Sequence, residues 1–550
     1  MDGAIVYLFF FFFVVCVFTS SENKSYDEMT DGEREQIEKT LFVLDQFCGS
    51  DVLYHELIQI APASCSLPKL HTVKECRSHL NATIGKDIEK VPGPHAGAQR
   101  NLLHAITAQL GDMDDIPPKV RVRVSCDGAR MSRKSNFVIV TYSLLDIEQY
   151  SSPKGNHVIA VVNGPESYAT LETSLKDVWF QVSKLAADKK VVVKGKEVAV
   201  ETILGGDLKF LGLVLGLSAA TAHHACCWCK VHKDHRWNVD FPSNKYTDPP
   251  LARSMGELQT QNPVVPSAAE AGPPKRGNKF GQKAKPLVNL PLEQVVIDEL
   301  HLMLRITDVL TDNLLQQTMW LDKQAKSKTL AGPHTEMLVT AISACGVSFS
   351  VWEKTNADGS GSGRLDFTSL MGPDKKILLQ NLPEKLEGSG ALNADTENDV
   401  LLMWTTFNDI YANLGKEEFT DGEITQLEEK MKTWIKRFCE LGFTAPGFGK
   451  KRVTPYIHAM LFHCPDIIRR FGNLKQFTGN GVEKTNDEAR RSHMQKSNKW
   501  DACADVLLHS GRRQILSHHC REKRKYKKKD EEYWTANIKE SRRKRKRISR

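Results

Sequence analysis

Hydrophobic and polar positions follow two periods along this chain, and the change of period divides it. Glu33–Phe47 (EREQIEKTLFVLDQF) carries apolar residues at helical spacing, and the stretch 27–115 reads as mostly helical. From Pro117 the period shortens. Val120–Cys126 (VRVRVSC) alternates strictly, as a strand with one face in a core does. Asn136–Leu145 and His157–Asn163 are two further β-rich runs. Ala169–Ala187 is then an amphipathic helix with Leu171, Leu175, Val178, Trp179, Val182 and Leu185 on one side. Glu197–Leu204 is predicted as a fourth strand and Asp207–Leu217 as a further apolar helix.

The predicted order is β-β-β-α-β-α. Three strands with short links form a meander, and the helix crosses over to a parallel strand. This is the order of a ribonuclease-H-like mixed sheet, although many α/β domains share parts of it. Residues 242–291 hold nine of the chain's 23 prolines, including Pro249-Pro250 and Pro273-Pro274, and read as a linker. Leu292–Trp320 reads as one long helix, and much of 330–445 is helical with a break at Gly359–Gly363. Tyr456–Phe471, Val482–Lys496 and Asp501–Arg513 close the chain as helices. The expected organisation is therefore a helical N-terminal region (27–115) and the first part of an α/β domain (117–220). A mostly α-helical insertion with its Pro-rich linker (221–470) follows, then the completion of the α/β domain (471–513) and a tail (521–550).

Composition adds the cellular setting. The 550 residues, 41% hydrophobic and 26% charged, exclude a wholly disordered chain, a collagen and a small disulfide scaffold. The net charge of +8 is uneven: residues 521–550 carry 15 Lys/Arg against 5 Asp/Glu, which leaves the rest slightly acidic. Lys523–Lys529 (KRKYKKK) and Arg542–Arg547 (RRKRKR) read as import signals or nucleic-acid arms on a disordered basic tail. Thirteen cysteines at irregular spacing form a poor disulfide framework and suit a reducing compartment such as the nucleus. Tyr7–Phe18, within the hydrophobic segment 1–20, pulls the other way. It has the length of a signal-peptide core and is short for a membrane span, and the sequons Asn23-Lys-Ser and Asn81-Ala-Thr follow it. Alone it predicts a secreted or membrane-anchored protein, or a mis-called start.

Two acids stand at strand ends. Asp127 directly follows the first alternating strand, and Asp207 lies just past the fourth. In a ribonuclease-H-like sheet these two strands are neighbours, so the carboxylates would meet. Close carboxylates repel unless a cation binds between them, and Mg²⁺ takes one or two carboxylates plus phosphate oxygens. Each alone is equally well a turn residue or a helix cap. A third carboxylate completes such a site. Glu483, opening a helix after a Gly-rich turn, is the choice, with Asp487 and Glu488 as fallbacks. Asn486 and Arg490 share its face and could reach a DNA strand.

Cys226-x2-Cys229 is half of a zinc site. Its partners are either His232 and His235 nearby, or His458 and His463 far along the chain, with Cys464 able to replace a histidine. Cys48, Cys65, His71 and Cys76 form a looser, irregular set in the N-terminal region.

With Asp127, Asp207 and Glu483 in this order, Cys-x2-Cys 19 residues after the second acid and His-x4-His 25 residues before the glutamate, the chain resembles a DDE transposase of the Transib type, the family of the V(D)J recombinase catalytic subunit. The likeness spans about 117–500, and other DDE families share its general plan. It implies a ribonuclease-H-like catalytic domain in which Asp127, Asp207 and Glu483 hold two Mg²⁺ or Mn²⁺ ions, and in which Cys226, Cys229, His458 and His463 hold one structural Zn²⁺. It implies double-stranded DNA (element ends and target) as substrate, strand cleavage and transfer as activity, a homodimer, and no small-molecule substrate. Asp298-Glu-Leu-His301 is similar to a motif of several cut-and-paste transposases, which would set Asp298 and His301 behind the metal ligands. Arg130, Arg133, Lys134, Lys209 and Lys475 lie near the motifs and could contact phosphates. The stretch 27–115 departs from the family, matching no terminal-repeat-binding domain. The alternatives are a catalytically inactive, domesticated DNA-binding or scaffold protein, and a secreted or membrane-anchored one.

Overall fold

The computed structural model describes residues 26–521 apart from 261–278 and positions 63, 134, 148–149, 153, 241–242, 247 and 249–250. The apolar run Tyr7–Phe18, Lys134, the middle of the Pro-rich linker and both basic clusters of the tail lie outside the described residues. The protein is a mixed α/β structure around an eight-stranded mixed sheet.

The strands are β1 (Ile88–Lys90), β2 (Gly97–Arg100), β3 (Lys119–Arg130), β4 (Asn136–Leu144), β5 (His157–Asn163), β6 (Lys190–Val193), β7 (Lys196–Gly206) and β8 (Val295–Ile297). They lie in the order β1-β2-β5-β4-β3-β7-β6, with β8 on β7 beside β6. The meander β3-β4-β5 is antiparallel, and β7 returns parallel to β3, as the crossover helix predicts. Alternation along β3 sorts its side chains between two cores. Val120, Val122, Val124 and Cys126 face a core with Leu102, Ile106, Leu171, Val178 and Val182. Ala129, with Phe137 and Ile139 of β4, packs instead against Ala489, Val506 and Leu507. The latter come from the helices Asn480–Gln495 and Ala502–Ile515, which cover the face that carries Asp127.

Several elements differ from the sequence reading. The N-terminal stretch contributes β1 and β2 to the sheet edge as well as helices. The crossover is two helices, Tyr168–Ser174 and Lys176–Asp188, parted at Leu175. There the Leu171 carbonyl accepts a bond from Trp179 Nε1 at 2.9 Å. The run beginning at Leu292 is not helical throughout. Val295–Ile297 pairs in parallel with the end of β7, and the helix starts only at Glu299, capped by Asp298, and runs to Gln324. Three consecutive β-branched residues, all buried, suit a short interior strand. The break at Gly359–Gly363 lies in a hairpin of β9 (Val351–Thr355) and β10 (Gly361–Phe367).

The insertion's helices pack on the long Glu299–Gln324 helix. Trp404 and Phe407 from one helix and Trp434 and Phe438 from the next are buried in the same continuous core as the sheet's first face.

Candidate metal centre and acidic pocket

Register explains the acidic pocket. Val124 of β3 pairs with Leu204 of β7, so Asp127 and Asp207 each lie three residues beyond a matched pair. Gly206 of β7 pairs with Ile297 of β8, so Asp298 stands beside Asp207 at the same level. Three parallel strands thus deliver three aspartates to one edge. Asp207 and Asp298 both cap the helices that follow: Asp207 Oδ1 accepts from Phe210 N at 2.7 Å, and Asp298 Oδ1 from Leu300 N at 2.8 Å.

Glu483 arrives from the helix Asn480–Gln495, and the turn before it is tied to the sheet at two points. Gly479 N donates to Asp298 Oδ1 at 2.6 Å, and the buried Arg123 donates to the Thr478 carbonyl at 3.1 Å. A Cβ at Gly479 would collide with the Asp298 carboxylate, so the approach requires glycine. Asp127, Asp207, Asp298, His301 and Glu483 line one small pocket floored by Arg123, Gly205 and Gly206.

The pocket's charges are crowded. Burial first, then the Glu483 charge, push the Asp127 carboxyl up to about 7, with Asp207 and Glu166 adding and His301 opposing. Burial also raises Glu483, against the pull of His301. His301 answers them. Burial would lower its imidazole, but the bond from Nδ1 to Asp298 Oδ2 at 2.5 Å and the neighbouring carboxylates hold it up at about 9. Its Nε2 lies 3.5 Å from Glu483 Oε1.

Asn486 is buried and donates to Asp127 Oδ2 at 2.7 Å, so it braces the acid and is not free to meet DNA. Arg490 pairs with Asp487 and donates to the Arg130 carbonyl at 2.9 Å. Arg130 and Arg133 are exposed. Lys209 is engaged by Glu166, and Lys475 by Glu417 at 2.9 Å. The fallback acids turn elsewhere: Asp487 to Arg490, Glu488 to Arg513. Sequence reasoning missed Glu166, whose carboxylate crowds Gly128 beside Asp127. It follows the end of β5, the same signal that marked Asp127 and Asp207. Beyond Asp207 opens a cleft of about 1600 Å³ lined by Lys209, Lys283, Lys285 and Lys451 together with Arg305 and Arg452, which pair with the lining acids Asp308 and Asp312.

The second centre is buried. Cys226, Cys229, His458 and His463 bring one ligand atom each within 4.8 Å of one another, and all four are at most 3% exposed. Cys226 Sγ is 3.2 Å from His463 Nε2, and Cys229 Sγ is 3.3 Å from His458 Nε2. The edge of a tetrahedral zinc site between such atoms is about 3.6 Å. The donor set, two sulfurs and two imidazole nitrogens, can hold a zinc ion. Burial opposes ionisation of Cys226, but Cys229 and the two imidazoles lower it well below the ordinary thiol range. Arg253 Nε donates to the carbonyls of both cysteines, at 2.9 and 3.0 Å, and holds the loop. The helix reading over Tyr456–Phe471 is parted at His463, between Pro455–Phe462 and Cys464–Phe471, and this break turns the second imidazole to the thiols. His232 lies against His223 instead, at 2.9 Å between ring nitrogens, and Cys464 is buried outside the cluster. The loose set Cys48, Cys65, His71 and Cys76 does not converge among the described residues.

No known protein-family model matches the chain, and no curated protein sequence matches it. Among the described residues no helix is long and apolar enough to cross a membrane.

Proposed function

We propose that the chain is a nuclear DNA transposase, or a recombinase derived from one, with a ribonuclease-H-like catalytic core. The observation that carries this reading is the shared level of Asp127 and Asp207, each three residues past the paired Val124 and Leu204, with Glu483 brought to the same pocket. Asp127, Asp207 and Glu483 would hold Mg²⁺ or Mn²⁺. Two such ions supply Lewis acidity for in-line attack of water, and later of a freed 3′-hydroxyl, on a phosphodiester. Asp298 orients His301, whose cationic ring offsets the carboxylates and stands where a scissile phosphate would enter. Lys283, Lys285 and Lys451 in the cleft beside Asp207 could meet a nucleic-acid backbone. The Cys226/Cys229/His458/His463 centre would pin the insertion to this core. By the family resemblance, a homodimer would bring two such pockets to two DNA ends.

One observation favours a second reading, a DNA-binding protein that kept the architecture without the chemistry. The oxygens of Asp127, Asp207 and Glu483 are not all within 4.8 Å of one another, whereas the zinc ligands are. Incubation of supercoiled plasmid with the full chain and Mn²⁺ separates the two readings. The wild type is expected to nick it, and Asp127→Asn to lose at least about a hundredfold in rate, equivalent to about 2.7 kcal/mol of barrier. A wild type inert with either metal, yet binding DNA, establishes the second reading.

A further inference from the structure

A second convergence of ligating atoms joins the two ends of the described chain. Glu38, His518 and His519 bring one donor atom each within 4.8 Å of the other two. Glu38 lies on the helix Asp31–Gln46, and the histidines close the turn Leu516–His519. The arrangement is independent of the acidic pocket and of the reading drawn from it.

Each of two ligands is set by a partner outside the cluster. Tyr26 Oη donates to Glu38 Oε1 at 2.5 Å, which leaves Oε2 facing His519 Nε2 at 3.1 Å. His518 Nδ1 lies 3.0 Å from the Ile515 carbonyl oxygen. That oxygen can only accept, so Nδ1 carries the proton and Nε2 keeps its lone pair. Metal-binding histidines commonly donate their second nitrogen in this way, and ligating carboxylates are commonly hydrogen-bonded in turn.

The two imidazole centroids are 3.8 Å apart. The His519 side chain is 4% exposed and Glu38 22%, while His518 faces solvent. Two imidazoles and one carboxylate, closed on one side and open on the other, form the donor set of three-ligand zinc sites, with water in the remaining position. We propose that Glu38, His518 and His519 bind a transition-metal dication, zinc by preference, at a site separate from the cysteine–histidine centre. The ion would clamp the segment that leads into the basic tail onto the N-terminal helices. Leu516 already anchors that segment, fully buried among Met29, Ile37, Leu41 and Val73.

The test uses the full chain carrying Asp127→Asn, so that the acidic pocket contributes no ion, stripped of metal by a strong chelator and titrated with Co²⁺ and then Zn²⁺. The chain should take up a second equivalent whose Co²⁺ spectrum lacks the sulfur-to-metal band of the thiolate centre. His518→Ala alters an exposed side chain and should keep the fold. It is expected to lose that equivalent while the thiolate band persists, and Glu38→Gln should do the same. Tyr26→Phe should keep the equivalent with affinity lowered about ten- to a hundredfold. The proposal is overturned if all Co²⁺ bound by the Asp127→Asn chain belongs to the thiolate centre, or if adding His518→Ala retains the second equivalent at unchanged affinity.

Discussion

Asp127 sits where burial and three carboxylates work against its charge and one imidazolium works for it. Its carboxyl is raised to about 7, against about 3.9 in an unfolded chain. Between those values the folded protein holds a proton that the unfolded chain has released. Stability therefore falls as pH rises through that window and remains reduced above it. Asp127→Asn escapes this penalty, and its amide oxygen can still accept from Asn486. In metal-free buffer at pH 8 the variant should be more stable than the wild type by about 1–3 kcal/mol, with the difference vanishing near pH 4. Urea unfolding at both pH values measures it. Mg²⁺ or Mn²⁺ should raise wild-type stability and leave the variant unmoved; a variant less stable at pH 8 would show that the pocket is not held against repulsion. Asp207 was legible because a strand end is: alternation stops, and an acid follows. Asp127 was found by the same break in alternation, although β3 runs on to Arg130 and pairs Asp127 with Ile139, and only its pairing with β7 has ended there. Glu166 followed the same rule at β5 but lay behind Gly164-Pro165. Arg123 was not legible, because VRVRV assigns its arginines to a solvent face, and only the fold puts Arg123 beneath the acids with Thr478 and Asn156 as partners.

Elements long enough to show a period were readable, and short buried ones were not. β3, β4, β5 and β7 follow from alternation and β-branched runs. β8 is three residues long and merges with a helical pattern, because a wholly buried strand has no polar face to mark it. The break at His463 was likewise hidden, since Tyr456–Phe471 is apolar enough to read as one helix. That break matters for the zinc centre, which joins a loop after β7 to two helices more than two hundred residues away. Metal binding in such a site is folding free energy. Cys229→Ala should release zinc and destabilise the insertion by on the order of 3 kcal/mol or more. Cys464→Ala, which removes a buried thiol outside the cluster, should keep its zinc. Zinc release to a chromogenic chelator, followed alongside calorimetry, distinguishes the two; equal release from both would place Cys464 among the ligands. Because thiolates must stay deprotonated, acidification should release zinc from the wild type as well.

At the scale of the whole molecule, charge and architecture are separated along the chain. One continuous core runs from the sheet into the helices that follow β8. The body built on it gathers acids in its pocket and sets Lys283, Lys285 and Lys451 in the neighbouring cleft, while residues 521–550 carry a net excess of ten positive charges by sequence. Cleft and tail make different predictions for DNA binding. Each phosphate neutralised contributes about −0.9 to the slope of log affinity against log salt. A chain ending at Cys520 keeps Leu516, His518 and His519, and hence the packing of the described body. If the tail grips duplex DNA, this truncation should flatten the slope by several units, up to about 9. Its affinity at low salt should fall by orders of magnitude, while Mn²⁺-dependent nicking survives at saturating protein. The cleft then accounts for the residual slope, and charge reversal at Lys283, Lys285 and Lys451, which frame the approach to Asp207, should remove it. Fluorescence anisotropy across a salt series reads both. A truncated chain with the wild-type slope would assign the whole grip to the cleft and leave the tail to import alone.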